Sequence, residues 1–136
     1  MIGIINWLAV LIAAVVNVIL GMVWYGPILG KAWIKAVGIP KKKLDKLARE
    51  NMHGKMTFSF LAGLVMAIVL NITLPVSIIS LKLALIGTLI LWVGLIVTTS
   101  LNYVLWEGKS LKLYLINIGY YLVSMSMMTT ILILMS

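Results

Sequence analysis

The sequence has no cysteine, a single histidine and three acidic residues in 136 positions. Without cysteine there are no disulfides, zinc–thiolate sites or iron–sulfur clusters. His53 with Asp45, Glu50 and Glu107 supplies neither a metal triad nor a nucleophile–histidine–carboxylate relay. No metal, no cofactor and no enzymatic chemistry is therefore expected. Charge is scarce as well: 10% of residues are charged, against about a quarter in an ordinary soluble domain. No Asp, Glu, Lys or Arg occurs in residues 1–30, 56–81, 83–106 or 113–136. Proton- and sodium-coupled carriers usually keep ionisable groups at depth, so runs without any disfavour ion coupling.

What is present is hydrophobic, 63% of the chain. About 20 apolar residues in a helix cross the hydrocarbon core, and each charge-free run exceeds that length. The runs are continuous and do not alternate, which favours helices over a β-barrel. The expected fold is an all-α integral membrane bundle of four transmembrane helices, one domain over 1–136. Its spans are placed at about 2–25, 55–74, 79–105 and 111–135, with a basic, helical interfacial loop over 26–54. The first run is too long for a signal-peptide core and lacks a basic leader, so it reads as a retained span.

Net charge is +8, and its placement argues against nucleic acid as the partner. Lys31, Lys35, Lys41, Lys42, Lys43, Lys46, Arg49 and Lys55 flank or occupy the first loop, and Lys109 and Lys112 the third. Lys82 is the one basic residue on the opposite side. The positive-inside rule then puts loops 1 and 3 in the cytoplasm and both termini outside, in a multi-pass plasma (inner) membrane protein. Pro75 with Asn71, Thr73, Ser77 and Ser80 marks the outer turn. Asn71-Ile72-Thr73 matches a glycosylation sequon at the membrane edge, a poor place for a used acceptor.

Within the basic loop, Leu44, Leu47 and Ala48 recur at helical spacing after Pro40, among Lys41, Lys42, Lys43, Lys46 and Arg49. Such a helix suits an anionic lipid surface or a protein partner; a plain solvated connector is the alternative. Trp24, Tyr25, Trp33 and Trp106 are expected to anchor the cytoplasmic interface as an aromatic belt.

The spans hold amides and small residues. Asn6 and Asn17 are eleven apart, about 20° on a helical wheel, so they share a face turned toward other helices. Ala9, Ala13, Asn17 and Gly21 in the first span, and Ser59, Gly63 and Ala67 in the second, recur every four residues and permit close backbone approach. Counted from the cytoplasmic boundary at 1.5 Å per residue, Asn17, Asn102 and Asn117 lie about 12, 6 and 9 Å deep. Tyr103, Tyr114, Tyr120 and Tyr121 occupy similar depths. This layer reads either as hydrogen-bonded packing that sets helix register or as a small pocket open to the cytoplasm. Glu50 and His53, three apart, would form an acid–base pair on one helix. "WYG" at Trp24–Gly26 and "WEG" at Trp106–Gly108 are a faint echo between the two halves.

"NWLAV" at Asn6–Val10, "WYGP" at Trp24–Pro27 with "GKAW" at Gly30–Trp33, and "EGKSLKLYLINIGYYLVS" at Glu107–Ser124 resemble a family of small four-span prokaryotic membrane proteins. That family is catalogued as domain of unknown function 1761. The resemblance spans nearly the whole chain and implies a four-helix membrane protein, with no activity or ligand to carry over. It draws attention to Asn6, Trp24, Pro27, Trp33, Glu107, Gly108, Asn117 and Tyr120. Two functions are expected to compete. One is a non-enzymatic small-solute or lipid-binding carrier or channel formed by self-association as a dimer or trimer. The other is an accessory subunit whose basic loop binds a partner or anionic lipid.

Overall fold

The computed structural model describes residues 5–136, which are helical with connecting turns. The helices are α1 (Trp7–Ile28), α2 (Gly30–Val37), α3 (Lys41–Arg49), α4 (Met52–Thr73), α5 (Leu81–Leu105) and α6 (Leu111–Leu134). Four of them, α1, α4, α5 and α6, are long and apolar enough to cross a membrane. Their outer surfaces carry Phe58, Val65, Ile90 and Leu134 at 72, 61, 66 and 73% exposure. An apolar belt of that extent on a 15.0 kDa chain matches lipid, not water.

The helix starts are written in capping residues. Asn6 stands just outside α1 with extended backbone, and its Oδ1 accepts from Ala9 N–H at 3.1 Å. The helix thus begins later than the expected start near residue 2, of which residues 2–4 lie outside the described ones. Ser80 and Ser110 cap α5 and α6 in the same way, accepting from Leu83 and Leu113. α4 begins at Met52, three residues before the expected boundary.

Two widened turns interrupt the spans. α1 does not stop at Tyr25 but runs through Pro27 to Ile28. Proline has no N–H for the usual bond, and the chain opens so that Leu29 N–H reaches back five residues to Trp24 O at 2.9 Å. In α5 the turn Trp92–Val97 is also of this wide type. Thr98 and Thr99 donate their hydroxyls to Gly94 O and Leu95 O within it.

α6 is the central element, packing on α1, α4 and α5, while α5 finds its main partner in α6. α1 and α4 meet through small residues: Ala14 lies against Gly63, and Ala9, Ala13 and Ala67 are fully buried in the shared core. The dense core, Val10, Ala67, Leu70, Met125, Met128 and Leu132, lies toward the end where α4 turns into α5. Thr88 and Thr129, both fully buried, join α5 to α6 there, their hydroxyls 2.7 Å apart. Asn6 Nδ2 closes this end by donating to Met135 O at 2.7 Å. Asn71 is 8% exposed at the same end, so the amide that a sequon would present is buried.

Two expectations change. Asn51 adopts a left-handed conformation, φ 50°, between α3 and α4, so Glu50 and His53 do not share a helix. Gly26 sits in the widened turn of α1, whereas Gly108 adopts φ 67° in a loop, so "WYG" and "WEG" are not structural equivalents. Trp24 is half-buried and Trp106 is 83% exposed, which separates them further.

Candidate functional site

At the opposite end of the bundle, near the two basic loops, the helices separate. The residues that face each other there are polar and aromatic. Asn17 on α1 accepts from Tyr120 Oη through Oδ1 at 2.8 Å, and its Oδ1 also takes the Ser124 hydroxyl. The same Tyr120 hydroxyl lies 2.9 Å from Asn17 O. On its other side the amide nitrogen of Asn17 faces Gly63 of α4; a methyl added there would stand 3.0 Å from it. One amide thus sets α1 against both α4 and α6.

A second link lies a turn nearer the loops, where Tyr25 Oη donates to Asn117 Oδ1 at 2.7 Å. Tyr25 also stacks edge-on against Trp33 (5.7 Å between ring centres) and packs on Tyr120 (5.5 Å). Trp24 turns inward beside Gly119, whose missing side chain makes room for the indole, and donates Nε1 to Ile116 O at 3.1 Å. From the other flank Trp92 donates Nε1 to Ile118 O at 2.8 Å. Two indoles therefore grip α6 from two sides. Tyr114, buried, donates to Val97 O at the end of the wide turn of α5, 2.8 Å away.

Two cavities open between these residues. The first, about 580 Å³, draws on all four spans: Tyr25, Met66, Ile96, Ser100, Tyr103, Tyr114, Asn117 and Tyr121 line it, with Leu113 and the loop residue Lys109. The second, about 550 Å³, lies between α1 and α4 and includes Asn17, Gly21, Lys55, Ser59, Gly63 and Tyr120. Tyr25, Met66 and Tyr121 border both. Both volumes fall in the range of about 300–1,000 Å³ common to ligand sites. Among the described residues no Asp or Glu lines either.

Of the polar layer read from sequence, Tyr103, Tyr114 and Asn117 meet at the first cavity and Asn17 and Tyr120 at the second. Asn102 does not join them; it stands exposed on α5 outside both. The expected aromatic belt divides. Trp24, Tyr25 and Trp33 are drawn against the bundle by the contacts above, and Trp106 alone of the four projects outward. Lys41, Lys42, Lys43, Lys46 and Arg49 are exposed along α3, which is joined to α4 by the Lys55 ammonium donating to Leu47 O. Trp92 and the Thr88–Thr129 pair were not singled out from sequence, although lone hydroxyls and indoles in charge-free spans mark them as groups in need of partners. Among the described residues no group of three or more His, Asp or Glu stands close enough to hold a metal ion.

Fold and site together define a polytopic helical membrane protein with a polar, cavity-bearing layer at its basic end. The chain belongs to a family described as protein of unknown function (DUF1761), whose model matches residues 8–133. Comparison with curated proteins and with solved structures yields no match.

Proposed function

We propose that this is a non-enzymatic membrane protein that holds a small ligand, a solute or a lipid-like molecule, in the cavity layer at its basic end, and that it self-associates as a dimer or trimer. One observation carries the reading: the end that holds the dense core has a cavity of about 180 Å³, whereas the other end opens into two of about 580 and 550 Å³. Both are half-open clefts large enough to admit a small ligand. By the positive-inside rule we assign this end to the cytoplasmic face of the plasma membrane.

The test is native mass spectrometry of the protein extracted with its native lipid in mild detergent. The reading expects an oligomer carrying a discrete added mass that is lost in Asn117→Leu. An oligomer without stable added mass removes the ligand and leaves the layer as packing. A second reading, an accessory subunit docking a partner or anionic lipid, is favoured by the five exposed cations of α3. Changing Lys41, Lys42 and Lys43 together to Gln would then abolish co-purification of the partner or binding to anionic vesicles.

A further inference from the structure

We infer that the first cavity takes an amphiphile with an oxyanion headgroup, a carboxylate or phosphate joined to an apolar chain. This rests on the cavity reading above and adds the sign and class of the ligand.

The argument is an inventory of hydrogen-bonding groups on the cavity wall. Tyr25 Oη donates to Asn117 Oδ1, which leaves the Asn117 amide nitrogen with two N–H groups and no acceptor among the described residues. The hydroxyls of Ser100, Tyr103 and Tyr121, and the Lys109 ammonium, likewise form no hydrogen bond among the described residues. The hydroxyl of Tyr114 does donate, to Val97 O, and so is already committed. The free groups are thus predominantly donors, one of them cationic, and no carboxylate on the wall competes for them. The unpaired atoms of Ser100, Asn117 and Tyr121 are not sealed from solvent, since the described residues that are not exposed contain no buried polar side-chain atom without a partner, and Tyr103 and Lys109 are exposed. Water satisfies such groups when the site is empty; a ligand that replaces water must supply acceptors.

Electrostatics has the same sign. Leu113 and Tyr114 belong to the first turn of α6, a 24-residue helix whose N-terminal end carries positive potential. An anion there meets Lys109, the Asn117 amide and the helix terminus together. The remaining wall, Met66, Ile96 and Leu113, is apolar and offers nothing to a compact, fully hydrated ion. A headgroup with a chain fits both parts of the wall; a free anion fits one.

The experiment uses the full chain, delipidated in a neutral detergent, with four probes added separately: dodecyl phosphate, laurate, dodecanol and inorganic phosphate. Binding is read by native mass spectrometry and by titration calorimetry. Dodecyl phosphate and laurate should bind at one site per chain, about tenfold or more tighter than dodecanol, as expected for hydrogen bonds to a charged group. Lys109→Gln and Tyr103→Phe should each weaken the two anions while leaving dodecanol unchanged. Lys82→Gln, at the far end, should leave all probes unchanged. Equal binding of dodecanol and dodecyl phosphate overturns the inference while the cavity reading stands. Displacement of dodecyl phosphate by equimolar inorganic phosphate overturns the amphiphile, and unchanged binding in both Lys109→Gln and Tyr103→Phe overturns the site. Absence of binding by every probe, together with a protein that carries no native ligand, overturns the inference and the cavity reading together.

Discussion

The tightest junction in the polar layer is the one between Gly63 and Asn17, and it makes a quantitative prediction. A Cβ at position 63 would sit 3.0 Å from Asn17 Nδ2, inside the 3.4–4 Å of ordinary contact. A loose side chain would step aside, but Asn17 is held on its oxygen side by Tyr120 and Ser124. Gly63→Ala should therefore cost about 1–3 kcal/mol, the usual penalty for overpacking. Asn17→Ala should cost about 0.6–1.7 kcal/mol, the measured span for interhelical hydrogen bonds in membranes. Its loss is moderated because the Tyr120 hydroxyl still has Asn17 O at 2.9 Å. In the double variant the amide is gone and the atoms of Ala14 lie at 3.5 Å from the new methyl, an ordinary contact. The two costs should then fall short of additivity by about 1 kcal/mol or more, where independent sites add within about 0.5 kcal/mol. Gly94→Ala, with nothing within 4 Å of the added carbon, is the control and should change stability by no more than about 0.5 kcal/mol. The assay is reversible unfolding in mixed micelles on titration with sodium dodecyl sulfate, followed by tryptophan fluorescence. Additive costs, or a neutral Gly63→Ala, would refute the contact and with it the placement of α4 against α1.

Three further outcomes are expected. Thr88→Val should destabilise the bundle by about 1 kcal/mol or more in the same unfolding assay, because it strips the buried Thr129 hydroxyl of its partner, whereas Thr129→Val should cost less, because the Thr88 hydroxyl still donates to Ala84 O at 2.9 Å; the double variant, which leaves no orphaned hydroxyl, should cost less than the sum. Asn6→Ala deletes both the α1 cap and the bond to Met135 O, and should lower stability by about 1–2 kcal/mol, with Asn6→Asp, which keeps the cap and loses the amide donor, intermediate. Cysteines placed at Lys42 and Ser77, both exposed at opposite ends of the bundle, should react with an impermeant maleimide from opposite sides of sealed vesicles; labelling from one side refutes the topology.

The spans were legible because charge is excluded from hydrocarbon: four charge-free runs became four long helices. Asn17 was legible for a related reason, since an amide in such a run must find a partner among other helices, and it found Tyr120 and Ser124. The belt residues were less so. A tryptophan and tyrosine beside a proline resemble the end of a span, but the wide turn around Pro27 carries α1 onward and brings Trp24 and Tyr25 against α6. Asn102 illustrates the same difficulty. Depth can be counted from a boundary, but the face cannot, because the wide turn Trp92–Val97 shifts the phase of α5 from the 3.6-residue period. The partners of Trp92 and Tyr114 are backbone carbonyls, which no residue pattern announces.

The distribution of these bonds explains how cavities persist in so small a protein. α1, α4 and α6 are tied by small-residue contacts and the Asn17 junction, while α5 is attached to α6 through Thr88–Thr129, Trp92–Ile118 and Tyr114–Val97. Those three links are spread along α6 from its buried far end to its first turn, so α5 is held upright against α6 without having to close on α1 or α4. The first cavity is the gap this leaves, with Met66 and Tyr25 on one side and Ile96 and Ser100 on the other. Each link is worth about 0.6 kcal/mol on average in a membrane. Three of them hold α5 against α6. The open space is thus a consequence of where the indole and phenol groups find their acceptors, and a ligand entering it meets walls already positioned by those bonds.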